Sequence, residues 1–229
     1  MNSKNSYQRT ELIYREKINN IRKSKVAVFG LGGVGSVAAE SISRNFIDTL
    51  TLVDFDTYDV TNLNRQLYSN YKNIGRKKTE IFKENIIKHC PETSIITFDK
   101  KVEKENIESL FKVKYDFVVD AMDDVKAKLA LINYCVENGI DIISCMGTGN
   151  RTNPENLTIE DIYKTYNCPL AKKMRKELRK LDINRLNVVY SKEEPVKTTE
   201  GKLGSTSFVP GTAGLLMASY VINRLALKD

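Results

Sequence analysis

The sequence predicts an α/β fold with a doubly wound, mostly parallel sheet and a C-terminal extension. Short apolar runs rich in β-branched residues alternate with segments of helical periodicity between residues 24 and 146. Such alternation is typical of parallel strands joined by right-handed helical crossovers, which place helices on both faces of the sheet. A glycine-rich turn at residues 30–35 separates the first apolar run from the next helix, as in a Rossmann-like sheet.

Each element of this core, about residues 24–146, has its own signal. Short apolar runs predict strands at 25–29, 50–54, 93–98, 117–120 and 141–145. Amphipathic or small-residue segments predict helices at 34–46, 76–89, 104–111 and 126–138. A further amphipathic helix, with apolar positions among charges, is expected before the core at 8–23.

The C-terminal extension, 147–229, has a less regular pattern. Residues 147–156 are rich in Gly, Asn and Thr and are expected to form a loop. A helix with a basic surface is predicted by apolar residues at helical spacing, namely Leu170, Met174, Leu178 and Leu181. Residues 191–205 are expected to be strand and exposed loop, and 211–227 an apolar helix. We therefore expect a single domain over 1–229.

Composition restricts the function classes. The 229 residues carry a formal net charge of +7, which favours polyanionic partners such as RNA. No apolar run is long enough to cross a bilayer, and residues 1–7 lack the apolar stretch of a secretory signal. The cysteines include no Cys-x-x-Cys pair, so we expect neither zinc nor disulfides but free thiols in the cytoplasm.

The strongest local signal is the glycine-rich turn, which contains Gly30, Gly32, Gly33 and Gly35. Glycines let the backbone approach phosphates closely, and the N-terminus of the following helix presents unpaired N–H groups to an anion. Asp54 ends the second strand, where a carboxylate can accept hydrogen bonds from ribose hydroxyls. A nucleotide site is therefore predicted, the alternative being a glycine-rich turn without a ligand. NAD would satisfy these residues as well as ATP.

Polar residues further along the chain favour ATP: Asp56, Asn62, Arg65, Lys78 and Asp123. When a carboxylate attacks the α-phosphorus, negative charge builds on the phosphoryl oxygens and the departing pyrophosphate, and fixed cations such as Arg65 and Lys78 stabilise it. Asp123 is a plausible ligand for the Mg²⁺ of the triphosphate. The ordinary alternatives are solvated helix charges for Arg65 and Lys78, and a helix N-cap for Asp123.

The segment from Gly30 to Asp123 resembles the ATP-binding core of the ubiquitin-activating-enzyme-like superfamily. Its pattern is GxGGxG, D-x-D, N-x-x-R-Q, a lysine and D-x-x-D, and all are present. The resemblance implies that the glycine turn, Asn62, Arg65 and Lys78 hold the triphosphate, Asp54 the ribose and Asp123 the magnesium. It also implies a homodimer in which Arg9 reaches the partner's ATP, although Arg15 and Arg22 lie nearby in the sequence.

Within this superfamily, the chain is most similar to the tRNA threonylcarbamoyladenosine dehydratases. The supporting stretches lie at 9–13, 147–154, 168–175 and 191–195. The implied reaction is adenylation of the threonyl carboxylate, followed by displacement of AMP by the tethered carbamoyl group and loss of water. The resemblance does not decide whether a sulfurtransferase-like accessory protein assists the reaction, or whether a monovalent cation binds the 147–156 loop.

Given a tRNA substrate, the basic residues of the C-terminal helix are predicted to contact phosphates: Lys172, Lys173, Arg175, Lys176, Arg179 and Lys180. The alternative is a solvated helix face. The same patch could extend to Arg151, Lys197 and Lys202. We expect structural roles for His89 and Cys145.

Three other functions compete with this interpretation. An adenylyltransferase for the C-terminal glycine of a small sulfur-carrier protein would use the same ATP chemistry, although such enzymes often carry paired Cys-x-x-Cys zinc ligands. A NAD-dependent oxidoreductase should supply a catalytic His, or a Tyr and Lys pair, and bind NADH without magnesium. A non-catalytic RNA-binding protein would release no pyrophosphate.

Overall fold

The computed structural model describes residues 6–198 and 203–228. The central feature is a seven-stranded sheet with the order β3-β2-β1-β4-β5-β7-β6. Its strands are β1 (Lys25–Phe29), β2 (Thr49–Val53), β3 (Ser94–Phe98), β4 (Phe117–Asp120), β5 (Ile142–Cys145), β6 (Leu157–Asp161) and β7 (Asn187–Ser191). All neighbouring strands are parallel except the β6–β7 pair. The predicted fold class is therefore confirmed.

The helices cover the sheet, and α3 packs against the long C-terminal helix α7. Their bounds are α1 (Gln8–Tyr14), α2 (Ile18–Lys23), α3 (Gly35–Ser43), α4 (Lys78–His89), α5 (Val125–Glu137), α6 (Pro169–Arg179) and α7 (Phe208–Ala226). A side chain at Gly214 of α7 would place its Cβ 2.4 Å from the Val34 carbonyl oxygen. Glycine at this position therefore lets α7 pack directly on the N-terminal end of α3, next to the glycine-rich turn. No helix in the described part of the chain combines the length and apolarity that crossing a membrane requires.

Two predicted helices of the N-terminal half are wrong in detail. The expected helix at 8–23 is divided, because Arg15 has a left-handed backbone conformation with φ of 50° and ends α1. At 104–111 the structure has only a short 3-10 turn, Ile107–Leu110. In the residues before this turn, Asn106 donates to the Lys101 carbonyl and accepts from the Glu103 amide, so side-chain hydrogen bonds replace helical ones.

The C-terminal extension departs further from the prediction, because it contributes two strands to the sheet. β6 was not predicted, and the strand expected within 191–205 lies earlier, ending at Ser191. β7 lies between β5 and β6 and is buried after its first residue, whereas β6 lies at the edge and is partly exposed. Short strands of this kind depend on partners distant in sequence, so local periodicity does not reveal them.

Candidate active site

The glycine-rich turn passes directly against the carboxyl end of β4. Gly30 has φ of 88°, and a Cβ there would lie 2.9 Å from the Ala121 carbonyl oxygen. A Cβ at Gly35 would lie 1.8 Å from the carbonyl oxygen of Gly30. Because only glycine fits such close backbone contacts, the sequence forces a tight turn at the carboxyl edge of the sheet.

Asp54 connects this turn to the end of β2. Its Oδ2 accepts a hydrogen bond from the Leu31 amide at 2.6 Å, and its Oδ1 accepts one from the Asp56 amide at 2.8 Å. Burial raises the pKa of the Asp54 carboxyl, and the charge of Lys78 and these two amides partly oppose that rise. Each carboxylate oxygen has a further lone pair, so the group can still accept hydrogen bonds from a ribose.

Lys78 is a buried cation, so its interpretation as a solvated helix charge is wrong. It is the first residue of α4, its side chain is 4% exposed, and its Nζ lies 3.0 Å from Asp56 Oδ2. Asp56 is itself half-exposed, with 48% of its side chain accessible. The ion pair therefore holds the ammonium group at the wall of the cleft.

Arg65 is held by the turn that precedes it. Its guanidinium donates to the Thr61 carbonyl at 2.8 Å and to Asn64 Oδ1 at 3.0 Å. Asn62 is buried and forms a capping box with Asp59, accepting a hydrogen bond from the Asp59 amide. The N-x-x-R-Q segment is thus pre-ordered by its own side chains, with Arg65 half-buried on the cleft side.

Asp123 is not the N-cap of α5. Asp124 occupies that position, and its Oδ1 accepts a hydrogen bond from the Ala127 amide at 2.8 Å. Asp123 is instead exposed at the mouth of the cleft. The ordinary alternative for this residue is therefore wrong.

One cleft of about 1650 Å³ brings most of the predicted nucleotide residues together. Its wall contains Gly30, Gly32, Gly33, Asp54, Asp56, Asn62, Arg65, Lys78 and Asp123. Gly35 lies just behind this wall and shapes the turn. The opposite side of the cleft comes from the C-terminal extension, including residues 147–151, 168–170 and 203–205. The nucleotide residues therefore share one cleft with loops of the C-terminal extension.

Arg9 lies outside this cleft. It is exposed in the first turn of α1, a helix that buries none of its residues. Arg22, one of its alternatives, is half-buried, stacks 4.0 Å above the Tyr7 ring and donates to the Tyr7 hydroxyl. Within one chain, then, the predicted N-terminal arginine does not reach the site.

Sequence reasoning missed two features of the cleft. Gln66 is buried in the wall, and its Oε1 has no hydrogen-bond partner within the described residues. Lys128 of α5 is fully buried and pairs with Asp120 at the end of β4. The signal for Lys128 was available, because it lies on the apolar face of α5 at helical spacing from Leu131 and Cys135.

The basic helix α6 is divided between two roles. Lys172, Lys173, Lys176 and Arg179, together with Lys180 just beyond its end, are exposed, as a phosphate-contacting surface requires. Arg175 is half-buried and donates to the carbonyl and hydroxyl of Thr165, so part of its guanidinium is already engaged within the chain.

Of the three residues predicted to extend this basic surface, Arg151 is misplaced. It is 3% exposed and donates to the Asn167 carbonyl at 2.7 Å, so it joins two loops instead of facing solvent. Burial lowers the pKa of its guanidinium. Lys197 is exposed, and Lys202 lies outside the described residues.

The thiols and the histidine are engaged in packing, in agreement with the sequence interpretation. All four cysteines are buried and unpaired. Burial raises the pKa of the Cys145 thiol to about 12. His89 Nε2 lies 3.1 Å from Ser43 Oγ, where α4 meets α3. Within the residues described, no cluster of three or more His, Cys, Asp or Glu side chains could hold a metal ion.

Comparison with known proteins identifies the family. The model of the ThiF family matches residues 5–229. tRNA threonylcarbamoyladenosine dehydratase of Bacillus subtilis (strain 168) is 36% identical over 97% of this chain and 95% of its own length. The enzyme of the same name from Haemophilus influenzae is 34% identical, covering 93% of this chain and 90% of its own. The chain belongs to the ThiF family. Within that family it belongs with these dehydratases, and the resemblance predicted from the motifs is confirmed.

Solved structures give the same result for the fold of this ThiF-family chain. The crystal structure of E. coli tRNA N6-threonylcarbamoyladenosine dehydratase, TcdA, in complex with AMP superposes with a TM-score of 0.90 at 32% identity, covering 95% of this chain and 92% of that chain. Its complex with ATP also gives a TM-score of 0.90, at 31% identity, covering 96% and 93%. E. coli MccB with ATP shares the fold alone, at 19% identity, a TM-score of 0.68 and coverage of 98% of this chain and 64% of that chain.

Proposed function

We propose that this protein is an ATP-dependent enzyme that adenylates the threonyl carboxylate of threonylcarbamoyladenosine in tRNA and then closes it to a ring. The observation that carries the proposal is the single cleft in which a phosphate-binding turn, two fixed cations and an exposed carboxylate face loops of the C-terminal extension. The names of the relatives that match nearly the whole chain supply the substrate class. The sulfur-carrier and NAD alternatives have no comparable support.

Lys78 and Arg65 supply the positive charge that adenylation requires. As the carboxylate attacks the α-phosphorus, charge shifts to the phosphoryl oxygens and to the departing pyrophosphate. Both cations are already held, Lys78 by Asp56 and Arg65 by the Thr61 carbonyl. Because they need little rearrangement during the reaction, they stabilise this charge effectively. Asp54, tied to the glycine-rich turn, positions the ribose.

The donor set at the cleft mouth suits Mg²⁺. Asp123 offers one exposed carboxylate, and magnesium beside phosphates is usually held by one or two carboxylates together with phosphate oxygens and water. Bound there, the ion would neutralise part of the charge on the pyrophosphate. Asp124 does not compete for this role, because its side chain caps α5.

Ring closure needs no nucleophile from the protein. Adenylation turns the carboxylate into a mixed anhydride with AMP as the leaving group, and the carbamoyl group of the same nucleoside attacks the activated carbonyl carbon and loses a proton. The carboxylate oxygen departs with AMP, which gives the net loss of water. Tethering makes such an attack effectively unimolecular. Burial of Cys145 and its raised pKa are consistent with this scheme.

The exposed face of α6 is the proposed docking surface for the tRNA backbone. Lys173 lines a second cavity of about 720 Å³, which adjoins the main cleft and shares Asp123 with it. Lys101, Lys104 and Lys126 line the same cavity, together with the carboxylates of Glu103, Glu105 and Asp124. Phosphates held along this surface would bring a neighbouring nucleoside to the cleft mouth without reading the sequence.

We further propose that two copies of the chain share their sites in the cytoplasm, with Arg9 contacting the ATP of the partner. The exposed position of Arg9 on α1, outside the cleft of its own chain, supports this proposal. Leu12 and Ile13 on the same helix are 71% and 76% exposed, which is unusual for two adjacent apolar side chains and suits burial against another subunit. Sedimentation of the protein, followed by ATPase complementation between an Arg9→Ala chain and an Arg65→Ala chain, tests it. Restored activity is expected if sites are shared.

The decisive experiment measures AMP and pyrophosphate release from ATP–Mg²⁺ with tRNA that carries threonylcarbamoyladenosine and with the same tRNA unmodified. We expect release with the modified tRNA alone, accompanied by the loss of one water mass from the nucleoside. Release that instead requires a small carrier protein ending in Gly-Gly would replace this proposal with the sulfur-carrier reaction. Absence of release with all three would contradict adenylation.

A further inference from the structure

A buried ion pair lies beside the cleft and has no role in the reaction described so far. Lys128 and Asp120 are both 0% exposed, and Lys128 Nζ lies 3.0 Å from Asp120 Oδ2. Ser144 Oγ donates to the same carboxylate oxygen at 2.6 Å. Removing two charges from water is so unfavourable that a buried pair often stabilises a fold no better than apolar residues would. Its position is therefore more informative than its contribution to stability.

Both members of the pair hold the backbone of Met122. Lys128 Nζ donates to the Met122 carbonyl oxygen at 2.9 Å, and the Met122 amide donates to Asp120 Oδ1 at 3.2 Å. The same short segment supports the glycine-rich turn, since a Cβ at Gly30 would lie 3.0 Å from the Met122 nitrogen. The ion pair thus fixes the chain between β4 and α5 where it passes the nucleotide end of the cleft.

The Met122 carbonyl belongs to the peptide group that leads into Asp123. That group is planar, so fixing its oxygen also fixes the direction of the Asp123 amide and Cα. We propose that Lys128 is a positioning residue, which acts through the Met122 carbonyl to hold Asp123 in place for the magnesium of the bound nucleotide. This inference rests on the proposed function, because it adds a determinant of metal binding to the same site.

The test measures nucleotide affinity, without tRNA and without turnover. Calorimetry gives the Kd of ATP with EDTA and with Mg²⁺, and the Kd with EDTA divided by the Kd with Mg²⁺ reports how strongly the metal is coupled to the nucleotide. Asp123→Asn should lower this ratio. Lys128→Met should lower it by about tenfold, the smaller end of the losses found when a residue supporting a metal ligand is changed. Lys128→Arg, which keeps the charge and the donors, should retain much of the ratio of the unchanged protein.

Ser144→Ala is the matched control, since it removes a hydrogen bond to Asp120 but none to Met122. Its ratio should equal that of the unchanged protein. Lys128→Met leaves the Asp120 charge buried and alone, so it could fail to fold. The double variant Asp120→Asn/Lys128→Met avoids that problem and still removes the donor to Met122. Its thermal unfolding verifies the fold, and its ratio should be as low as that of Lys128→Met.

Coupling between the two residues decides the outcome. If Lys128 acts through Asp123, then Lys128→Met combined with Asp123→Asn should lower the ratio no further than Asp123→Asn alone. Additive losses, or a folded Asp120→Asn/Lys128→Met protein with a normal ratio, would overturn the inference while leaving the proposed function intact. A normal ratio in Asp123→Asn would instead show that the proposed metal ligand itself is wrong.

Discussion

The two sides of the cleft differ in how their side chains are held. On the nucleotide side, several groups are fixed by contacts within one short segment, such as Arg65 with the Thr61 carbonyl and Asn62 with the Asp59 amide. On the C-terminal side, the contacts join segments far apart in sequence, such as Glu193 with the Thr152 and Asn153 amides. The first arrangement gives a compact sequence motif and the second does not. Substitutions should therefore have different consequences on the two sides of the cleft.

The largest effect is expected in the glycine-rich turn. Gly35→Ala would place a Cβ 1.8 Å from a backbone oxygen, so the turn must move and the protein should lose ATP binding together with about 3 kcal/mol of unfolding free energy. Gly211→Ala is the matched control, because no atom lies within 4 Å of its added Cβ in α7. There the substitution should stabilise the protein by about 0.5–1 kcal/mol. Urea unfolding and nucleotide calorimetry measure both variants.

The second largest effect is expected on the adenylation rate, when the fixed cations of the nucleotide side are removed. Arg65→Ala and Lys78→Ala should each slow adenylation by about 10²–10³-fold, the scale of losing one pre-positioned group that stabilises transition-state charge. Lys77→Ala is the control, since Lys77 is half-exposed, pairs with Asp99 and does not line the cleft. Single-turnover pyrophosphate release is the measurement. Near-normal rates in both active-site variants would show that the catalytic charge comes from elsewhere.

The residues that line the nucleotide side of the cleft were recognisable in the sequence because their types are dictated by local geometry. Gly30 and Gly35 are required by backbone contacts, and Asp54 by its place at a strand end. Lys128 escaped notice because a lysine within a helix is ordinarily read as solvated, although its spacing placed it on the apolar face. Arg175 was assigned to the surface because composition does not show which member of a basic run turns inward.

The same helix therefore allows a direct comparison of a structural and a surface cation. Arg175→Ala removes donors to Thr165 and should lower the unfolding free energy by about 1 kcal/mol. Lys176→Ala, one residue further and exposed, should leave stability unchanged and weaken tRNA binding. If Lys176 contacts one phosphate, the magnitude of the negative slope of log K against log salt should fall by about 0.7–0.9. Equal salt slopes for Lys176→Ala and the unchanged protein would remove Lys176 from the docking surface.

The smallest effect should come from Glu193, which joins the segment after β7 to the loop around Thr152. Its carboxylate accepts hydrogen bonds from the Thr152 and Asn153 amides and from the Thr152 hydroxyl. Partial burial would raise the pKa of this carboxyl, but these hydrogen bonds outweigh it and hold the pKa below its usual value. A lowered pKa in the folded protein means that the stabilisation is complete above the pKa of the unfolded chain and is lost as the pH falls through the folded value.

Glu193→Gln removes this ionisation while keeping the shape of the side chain. The variant should be slightly less stable than the unchanged protein at pH 7, and the difference should shrink as the pH falls below about 4.3, the usual value for an unfolded glutamate. Urea midpoints measured at several pH values test this, with Glu194→Gln as the exposed control. A constant difference across the acid range would mean that the two loops are held together by contacts other than this carboxylate.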